Sequence, residues 1–164
     1  MEFFSEFDKK FKAQIFLIYD IKNPIQIEEY KKADNICILN PEIILDITHI
    51  SIAIERAILK KKSIKRDIAY YSLESGKQDL CISEHSNFNY LEKCFIIFIN
   101  PTILLVKSDV EKMFDCKTMD CYNYSYFTDI NKIKKLFSLK EIKNDLHSGL
   151  CGQIYNILSL KDLK

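Results

Sequence analysis

The chain has 164 residues, of which 48% are hydrophobic and 29% are charged, a balance that excludes a disordered chain and fits one globular domain over residues 1–164. The formal net charge of +1 excludes a protein that is basic overall, although it allows a local basic surface. No apolar run approaches the ~20 residues of a membrane helix, and the charged N-terminal residues do not resemble a signal peptide. We therefore expect a soluble intracellular protein with reduced cysteines and no membrane partner.

Strands are predicted where short apolar segments end at turn residues. In chain order they are Ala13–Tyr19, Ile68–Leu73, Phe95–Ile99 and Leu136–Leu139, with another short apolar stretch at Ile36–Leu39. Ala13–Tyr19 has apolar side chains on both faces, which predicts burial on both sides of a sheet. Phe95–Ile99 is apolar throughout, so we expect it at the centre of that sheet.

Helices are predicted from capping residues and from apolar residues at helical spacing. In chain order they are Asn23–Ala33, a helix capped by Asp46 or Thr48 and ending at Lys60–Lys62, a helix of undefined length after Gly76, Asn100–Phe114, Asp129–Lys135 and Asp145–Leu163. Asn100–Pro101 could instead turn a hairpin into Ile103–Val106, but the apolar spacing up to Met113 favours the helix. The predicted class is α/β (α+β): a small mixed or antiparallel sheet flanked by several helices, with a long C-terminal helix.

The sequence motifs of catalysis are absent. Three glycines cannot build a P-loop or a dinucleotide-binding loop, and no nucleophile elbow, zinc-protease motif or kinase signature occurs. His49, His85 and His147 lie far apart in the sequence, as ordinary surface or core histidines do. We therefore expect a protein that is not an enzyme and that has no cofactor.

A zinc site is the metal interpretation that the spacing allows. Cys116 and Cys121 are separated by four residues, and His147 and Cys151 by three, which falls within the range of zinc ligands. The last two lie on a predicted helix, and cysteines are scattered along the chain, which favours small core residues instead. We therefore expect no metal.

The segment from Arg56 to Arg66 is rich in basic residues and contains no acidic residue. The five that we nominate for nucleic-acid binding are Lys60, Lys61, Lys62, Lys65 and Arg66. Such a cluster can neutralise phosphates, but the residues alone favour the solvated end of a helix in a lysine-rich chain. Tyr70 and Tyr71 follow the cluster and could offer a ring on which a base stacks.

Several segments in a fixed order carry a resemblance to a known family. They are IFLIYDIKN (Ile15–Asn23), LNPEIILDITHISIAIERAI (Leu39–Ile58), KSIKRDIAYYSLESGKQDL (Lys62–Leu80), TDINKIKKLFSLKEI (Thr128–Ile142) and QIYNILSLKDLK (Gln153–Lys164). This order resembles the PRPK-binding (TPRKB-like) subunit of the KEOPS complex, also called EKC. One departure is the turn at Glu74–Asp79, where the arginine of archaeal members is missing or replaced by Lys77.

The resemblance implies a protein without an active site of its own. Its partners would be the atypical kinase subunit of KEOPS and, through it, the threonylcarbamoyl-transferase subunit. It would also help to hold tRNA, including the acceptor end, for threonylcarbamoylation of the adenosine beside the anticodon. A cytoplasmic and nuclear location follows from that role.

The residues behind this role are nominated from the sequence. The basic residues Lys60–Arg66 are our candidates for tRNA. For the kinase surface we nominate Leu150, Ile154 and Leu158 of the last predicted helix, although this stripe could equally belong to the core. Two other functions stay open: a stand-alone RNA-binding module, or a small enzyme that uses Cys81 or Cys94 with a histidine.

Overall fold

The computed structural model describes residues 1–87, 89, 92–121, 126–139 and 146–161. The described strands are β1 (Glu2–Phe4), β2 (Lys12–Tyr19), β3 (Ile36–Leu39), β4 (Lys93–Ile99) and β5 (Lys117–Met119). The described helices are α1 (Pro24–Lys31), α2 (Ile47–Lys60), α3 (Ile64–Tyr71), α4 (Gln78–Ser86), α5 (Lys107–Phe114), α6 (Ile130–Leu136) and α7 (Leu146–Leu160), with a 3-10 turn at Pro41–Ile43. This is the α+β class that the sequence predicts, with a C-terminal helix.

All described strand pairs are antiparallel, and the sheet has the order β1-β2-β4-β3, with β5 also pairing to β2. The longest ladder joins β2 to β4, from Ala13 opposite Ile99 to Tyr19 opposite Lys93. The prediction of a central strand at Phe95–Ile99 is confirmed. β1 and β5 were not predicted, because three residues are too few to show an alternating pattern.

Both faces of the β2–β4 pair are buried, as the sequence predicts. Ile15 and Leu17 of β2 point to the face covered by α2 and α3. Phe16 and Ile18 point to the opposite face, which packs against α1 and α5. A third apolar cluster lies away from the sheet, where α7 packs beside α2, α4 and α6. None of the helices in the described ranges is long and apolar enough to cross a membrane.

The predicted strand Ile68–Leu73 is wrong, because these residues belong to α3 and to the turn after it. A short apolar run does not distinguish a strand from a buried helix, and its neighbours decide. Ile68, Ala69 and Tyr71 are buried on the side of α3 that packs against α2. The helical period, which also places Ile64 against the same cluster, therefore holds where strand alternation does not.

Two other boundaries differ from the prediction. The helix after Asn100 begins at Lys107, because the side chain of Asp109 accepts a hydrogen bond from the amide of Val106 at 2.9 Å and so marks the first turn. Ile103 is 73% exposed and Val106 is 59% exposed, and both precede α5, whereas Val110 and Met113 of the predicted stripe lie in α5 and pack against the sheet. The predicted strand at Leu136–Leu139 is wrong: α6 continues to Leu136, and Ser138 has a positive φ of 50°.

Candidate interaction surfaces

The basic segment forms an exposed corner between two helices. α2 ends at Lys60, Lys61 takes the left-handed conformation with φ 54°, and α3 starts after Ser63. Lys60, Lys61, Lys62 and Arg66 are exposed, and we call these four residues the basic corner. The short turn joins the end of α2 to the start of α3. The four charges therefore belong to one small, solvent-exposed part of the surface.

Lys65 points away from this corner. Its Nζ donates hydrogen bonds to the backbone oxygen of Lys31 and, at 2.8 Å, to that of Ala33. Both acceptors lie where α1 ends, a place where backbone carbonyls lack helical partners. Partial burial lowers the pKa of Lys65 from its ordinary value. Lys65 therefore contributes to holding α1, and it is the least available of the five nominated residues for a phosphate.

An acid lies beneath the basic corner. Asp67 is 3% exposed, and its Oδ1 accepts a hydrogen bond from Gln78 Nε2 at 3.3 Å. Burial raises the pKa of the Asp67 carboxyl, against the opposing effect of the nearby cations of the corner. Arg66 also lies 3.8 Å from Asp79 in an exposed pair of small energetic value. The corner is therefore only partly neutralised.

The two tyrosines that could stack a base have other partners. Tyr71 is buried in the cluster between α2 and α3. The Nζ of Lys161 lies 3.5 Å from the centre of the Tyr70 ring and donates to the backbone oxygens of Tyr70 and, at 2.6 Å, of Leu73. In this structure neither ring is presented as an open platform for a base.

The stripe nominated for the kinase lies inside the domain. Leu150, Ile154 and Leu158 are all buried in the third cluster, against residues of the 3-10 turn, α4 and α6. The structure thus favours the alternative that the stripe is core, as an apolar helix face usually is. That this stripe contacts a kinase stays a prediction. Such a contact would require α7 to separate from the rest of the domain.

An apolar groove lies between β1, the turn after it, α2 and α7. Its volume is about 450 Å³. The residues lining it are Phe3, Phe4, Glu6, Phe7, Ser51, Ile52, Glu55, Arg56, Leu59 and Ser159. Phe4 and Phe7 are each 65% exposed, and Leu59 is 49% exposed. We call this feature the β1–α2 groove. Sequence reasoning missed it because β1 was not predicted.

Hydrogen bonds fix the β1 side of the groove. The hydroxyl of Ser5 accepts from the amides of Phe7 and Asp8 at 3.1 and 3.0 Å and donates to Glu55 Oε2 at 2.8 Å. The amide of Glu6 donates to the other carboxylate oxygen of Glu55 at 2.9 Å. The turn that carries Phe7 is thereby tied to α2. The groove is a preformed surface.

A second cleft is polar and close to charge balance. It has a volume of about 690 Å³ and is lined in part by Glu42, Lys93 and Lys132. Glu42 lies 3.3 Å from the Nζ of Lys93 and 2.5 Å from that of Lys132, and the hydrogen bond from Lys132 is the main reason that its pKa is lowered. Glu42 thus has two cationic partners, Lys93 and Lys132, and this part of the cleft is neutralised by ion pairs within the domain.

Two histidines are structural. His49 Nδ1 accepts from the amide of Leu45 at 3.0 Å, so its Nε2 carries the proton that is shared with Ser72 O at 2.6 Å. His85 Nδ1 accepts from the amide of Asn40 at 3.1 Å, and its Nε2 lies 2.6 Å from Ser72 Oγ. Burial lowers the pKa of both imidazoles, that of His85 to about 3. Both rings are therefore held neutral.

The thiols proposed for the enzyme alternative are buried. Cys81 and Cys94 have no exposed surface, and burial raises the pKa of both thiols, which disfavours the reactive thiolate. The cysteines of the zinc alternative are also separated: Cys116, Cys121 and Cys151 pack in three different apolar clusters. Within the described part of the chain no three metal-ligating side chains come together. The side chain of His147 lies outside the described residues.

These surfaces are those of an α+β domain that presents an apolar groove and a basic corner. A family model described as kinase binding protein CGI-121 matches residues 18–162 of the chain. The chain belongs to this kinase-binding family, and the TPRKB-like resemblance of its sequence is confirmed. A search of curated proteins finds no significant match.

Proposed function

We propose that this chain is a non-catalytic subunit of a KEOPS (EKC) complex that binds the atypical, PRPK-like kinase subunit. Through the kinase it would reach the threonylcarbamoyl-transferase subunit and help to hold tRNA for modification of the adenosine beside the anticodon. The observation that carries this proposal is the match of the kinase-binding family over residues 18–162. A protein with this role would work in the cytoplasm and nucleus.

The non-catalytic character is supported by the state of the reactive side chains. The cysteines and the two described histidines are engaged in packing or in hydrogen bonds to the backbone. A nucleophile needs an accessible thiolate beside a base, and burial works against both here. A binding role requires exposed surfaces that a partner can contact, such as the β1–α2 groove and the basic corner.

The tRNA part of the proposal is supported by the basic corner. Each lysine that meets a phosphate releases bound counterions, so the affinity should fall steeply as salt rises. Lys61 and Lys62 are the best placed for this, because both are exposed beyond the end of α2. The acceptor end of tRNA would meet this corner through its backbone, without readout of base identity.

The experiment combines kinase binding with a charge-reversal pair. The purified chain is titrated with the KEOPS kinase, and tRNA binding by the assembled complex is measured at several salt concentrations. Lys61→Glu/Lys62→Glu should weaken tRNA binding and make the salt slope less steep by about 1 for each lost contact. The matched control is Lys9→Glu/Lys10→Glu, which changes the charge equally on an exposed turn elsewhere.

The outcomes separate the parts of the proposal. A chain that fails to bind the kinase would contradict the kinase-binding role. Equal tRNA affinity in both charge-reversal pairs would contradict the basic corner as the tRNA surface. Tight tRNA binding by the isolated chain, without any affinity for the kinase, would identify a stand-alone RNA-binding module instead.

A further inference from the structure

We propose that the kinase docks on the β1–α2 groove and fills it with an apolar segment that carries a basic side chain. This inference rests on the proposed kinase-binding function and adds the surface and the chemistry of the contact. The nominated stripe of α7 cannot serve while it is packed in the core, so the docking surface has to lie among exposed residues.

The groove has the composition of a docking surface. Phe4 and Phe7 are each 65% exposed and Leu59 is 49% exposed, and all three line one concave space. Exposed apolar side chains grouped around a cavity are typical of a surface that binds a partner. Aromatic side chains are enriched where proteins bind each other, because they bury a large area with few rotatable bonds. The hydrogen bonds of Ser5 and Glu55 hold Phe7 in place, so little entropy is lost on binding.

The charged residues of the groove indicate which charge the docked segment of the kinase should carry. Glu6 and Glu55 line the groove, and neither carboxylate forms an ion pair with any residue that the structure describes. Arg56 also lines it, but its guanidinium donates to the backbone oxygen of Lys161 and lies 5.3 Å from the Tyr71 ring. The groove is thus apolar, with two carboxylates and one guanidinium at its wall. The carboxylates leave it with a net negative charge, which complements an apolar segment that carries a basic residue.

The position of the groove also agrees with the proposed tRNA surface. Leu59 lines the groove, and the basic corner starts with the next residue along α2, Lys60. A kinase seated in the groove would therefore lie beside the basic corner. The C-terminal end of α2 could then contact the kinase and tRNA at the same time.

The test uses the full chain and the purified kinase. Phe7→Asp/Leu59→Asp should weaken kinase binding roughly 30-fold or more, as expected for central apolar contacts. The control Ile25→Asp/Leu80→Asp places the same charges on exposed apolar positions of α1 and α4 and should change affinity less than about 3-fold. Glu6→Lys, whose side chain has no hydrogen bond in the described residues, should weaken binding and reduce its dependence on salt. Thermal unfolding of each variant verifies that the domain is intact.

Each result has a defined meaning. If the wild-type chain does not bind the kinase, the proposed function fails. If it binds, and Phe7→Asp/Leu59→Asp binds equally well, the groove is not the docking surface. If those substitutions instead convert a wild-type dimer to a monomer and leave kinase affinity unchanged, the groove joins two copies of this chain, which also overturns the inference. Unchanged affinity in Glu6→Lys would overturn the basic character of the docked segment.

Discussion

The centre of the sheet and the junction of the helices are both fully buried, yet they are built from different chemistry. At the centre, β2 and β4 pair along seven residues, from Ala13–Ile99 to Tyr19–Lys93. At the junction, which we define by Asn40, His49, Ser72 and His85, buried side chains are polar. The difference follows from the backbone. A ladder of paired strands satisfies the hydrogen bonds of its own amides and carbonyls, whereas the residues at the ends of strands and helices need other partners.

The histidines of the junction supply the missing backbone partners. The amides of Asn40 and Leu45 lie outside strands and helices, and each donates to an imidazole nitrogen. The carbonyl of Ser72, at the end of α3, accepts a hydrogen bond from His49 Nε2. Apolar side chains could fill this space but could not satisfy these groups. In this domain, therefore, buried polar side chains lie where strands and helices end and satisfy the backbone groups that have no partner there.

The largest effect should come from removing an apolar side chain at the sheet centre. Phe95→Ala in β4 deletes a ring that is completely buried, so it should reduce the free energy of unfolding by about 3–5 kcal/mol. Urea denaturation measures this loss. The control Ile25→Ala, at an exposed position of α1, should change stability by less than about 0.5 kcal/mol. Similar losses in the two variants would contradict the central position of β4.

A smaller effect should appear at the junction when the pH is lowered. The pKa of His85 is about 3 in the folded chain, because burial penalises the charged ring, and it lies near 6.5 in an unfolded chain. Between these values the unfolded state binds a proton that the folded state does not, so stability falls as the pH falls below about 6.5. From pH 7 to pH 5 this single group should remove about 2 kcal/mol. Burial also lowers the pKa of His49, so this residue contributes in the same direction, and its hydrogen bond to Ser72 and the nearby Asp46 act against it.

His85→Gln tests this origin of the pH dependence. A glutamine can accept from Asn40 and donate to Ser72, yet it does not titrate. Urea denaturation at pH 7 and pH 5 should therefore show a smaller difference for the variant than for the wild type. If the variant kept the full difference, other groups would carry it. The sheet variant Phe95→Ala provides the contrast, since it should lose stability equally at both pH values.

The same difference explains what the sequence could predict. Apolar patterning located β2 and β4, and Asp46 marked the start of α2, where its side chain accepts from the amide of His49 at 2.8 Å. These features depend on neighbours along the chain. The strand predicted at Ile68–Leu73 failed because its residues pack as a helix against α2, which only the tertiary fold decides.

The candidate surfaces were predictable to a different degree. Exposed lysines at a helix end are visible in the sequence, so the basic corner was found. The inward turn of Lys65 depends on α1, more than 30 residues earlier, and no local pattern encodes it. The β1–α2 groove is lined by Phe4 and Phe7 together with Leu59, which is more than 50 residues away in the sequence. Such a surface is a property of the fold, and exposed aromatic residues near the start of the chain were its only local sign.

The smallest predicted effect distinguishes the inward lysine from the outward ones. Lys65→Met removes an ammonium that donates to the carbonyls of Lys31 and Ala33 and keeps most of the side-chain volume, so it should reduce stability by about 1 kcal/mol. Lys62→Met, at an exposed position of the basic corner, should leave stability unchanged within about 0.5 kcal/mol and weaken tRNA binding. Urea denaturation and tRNA titration of both variants measure the two properties separately. A loss of stability in Lys62→Met with none in Lys65→Met would contradict these roles. The exposed lysine would then stabilise the fold, and the inward one would be the one free to bind tRNA.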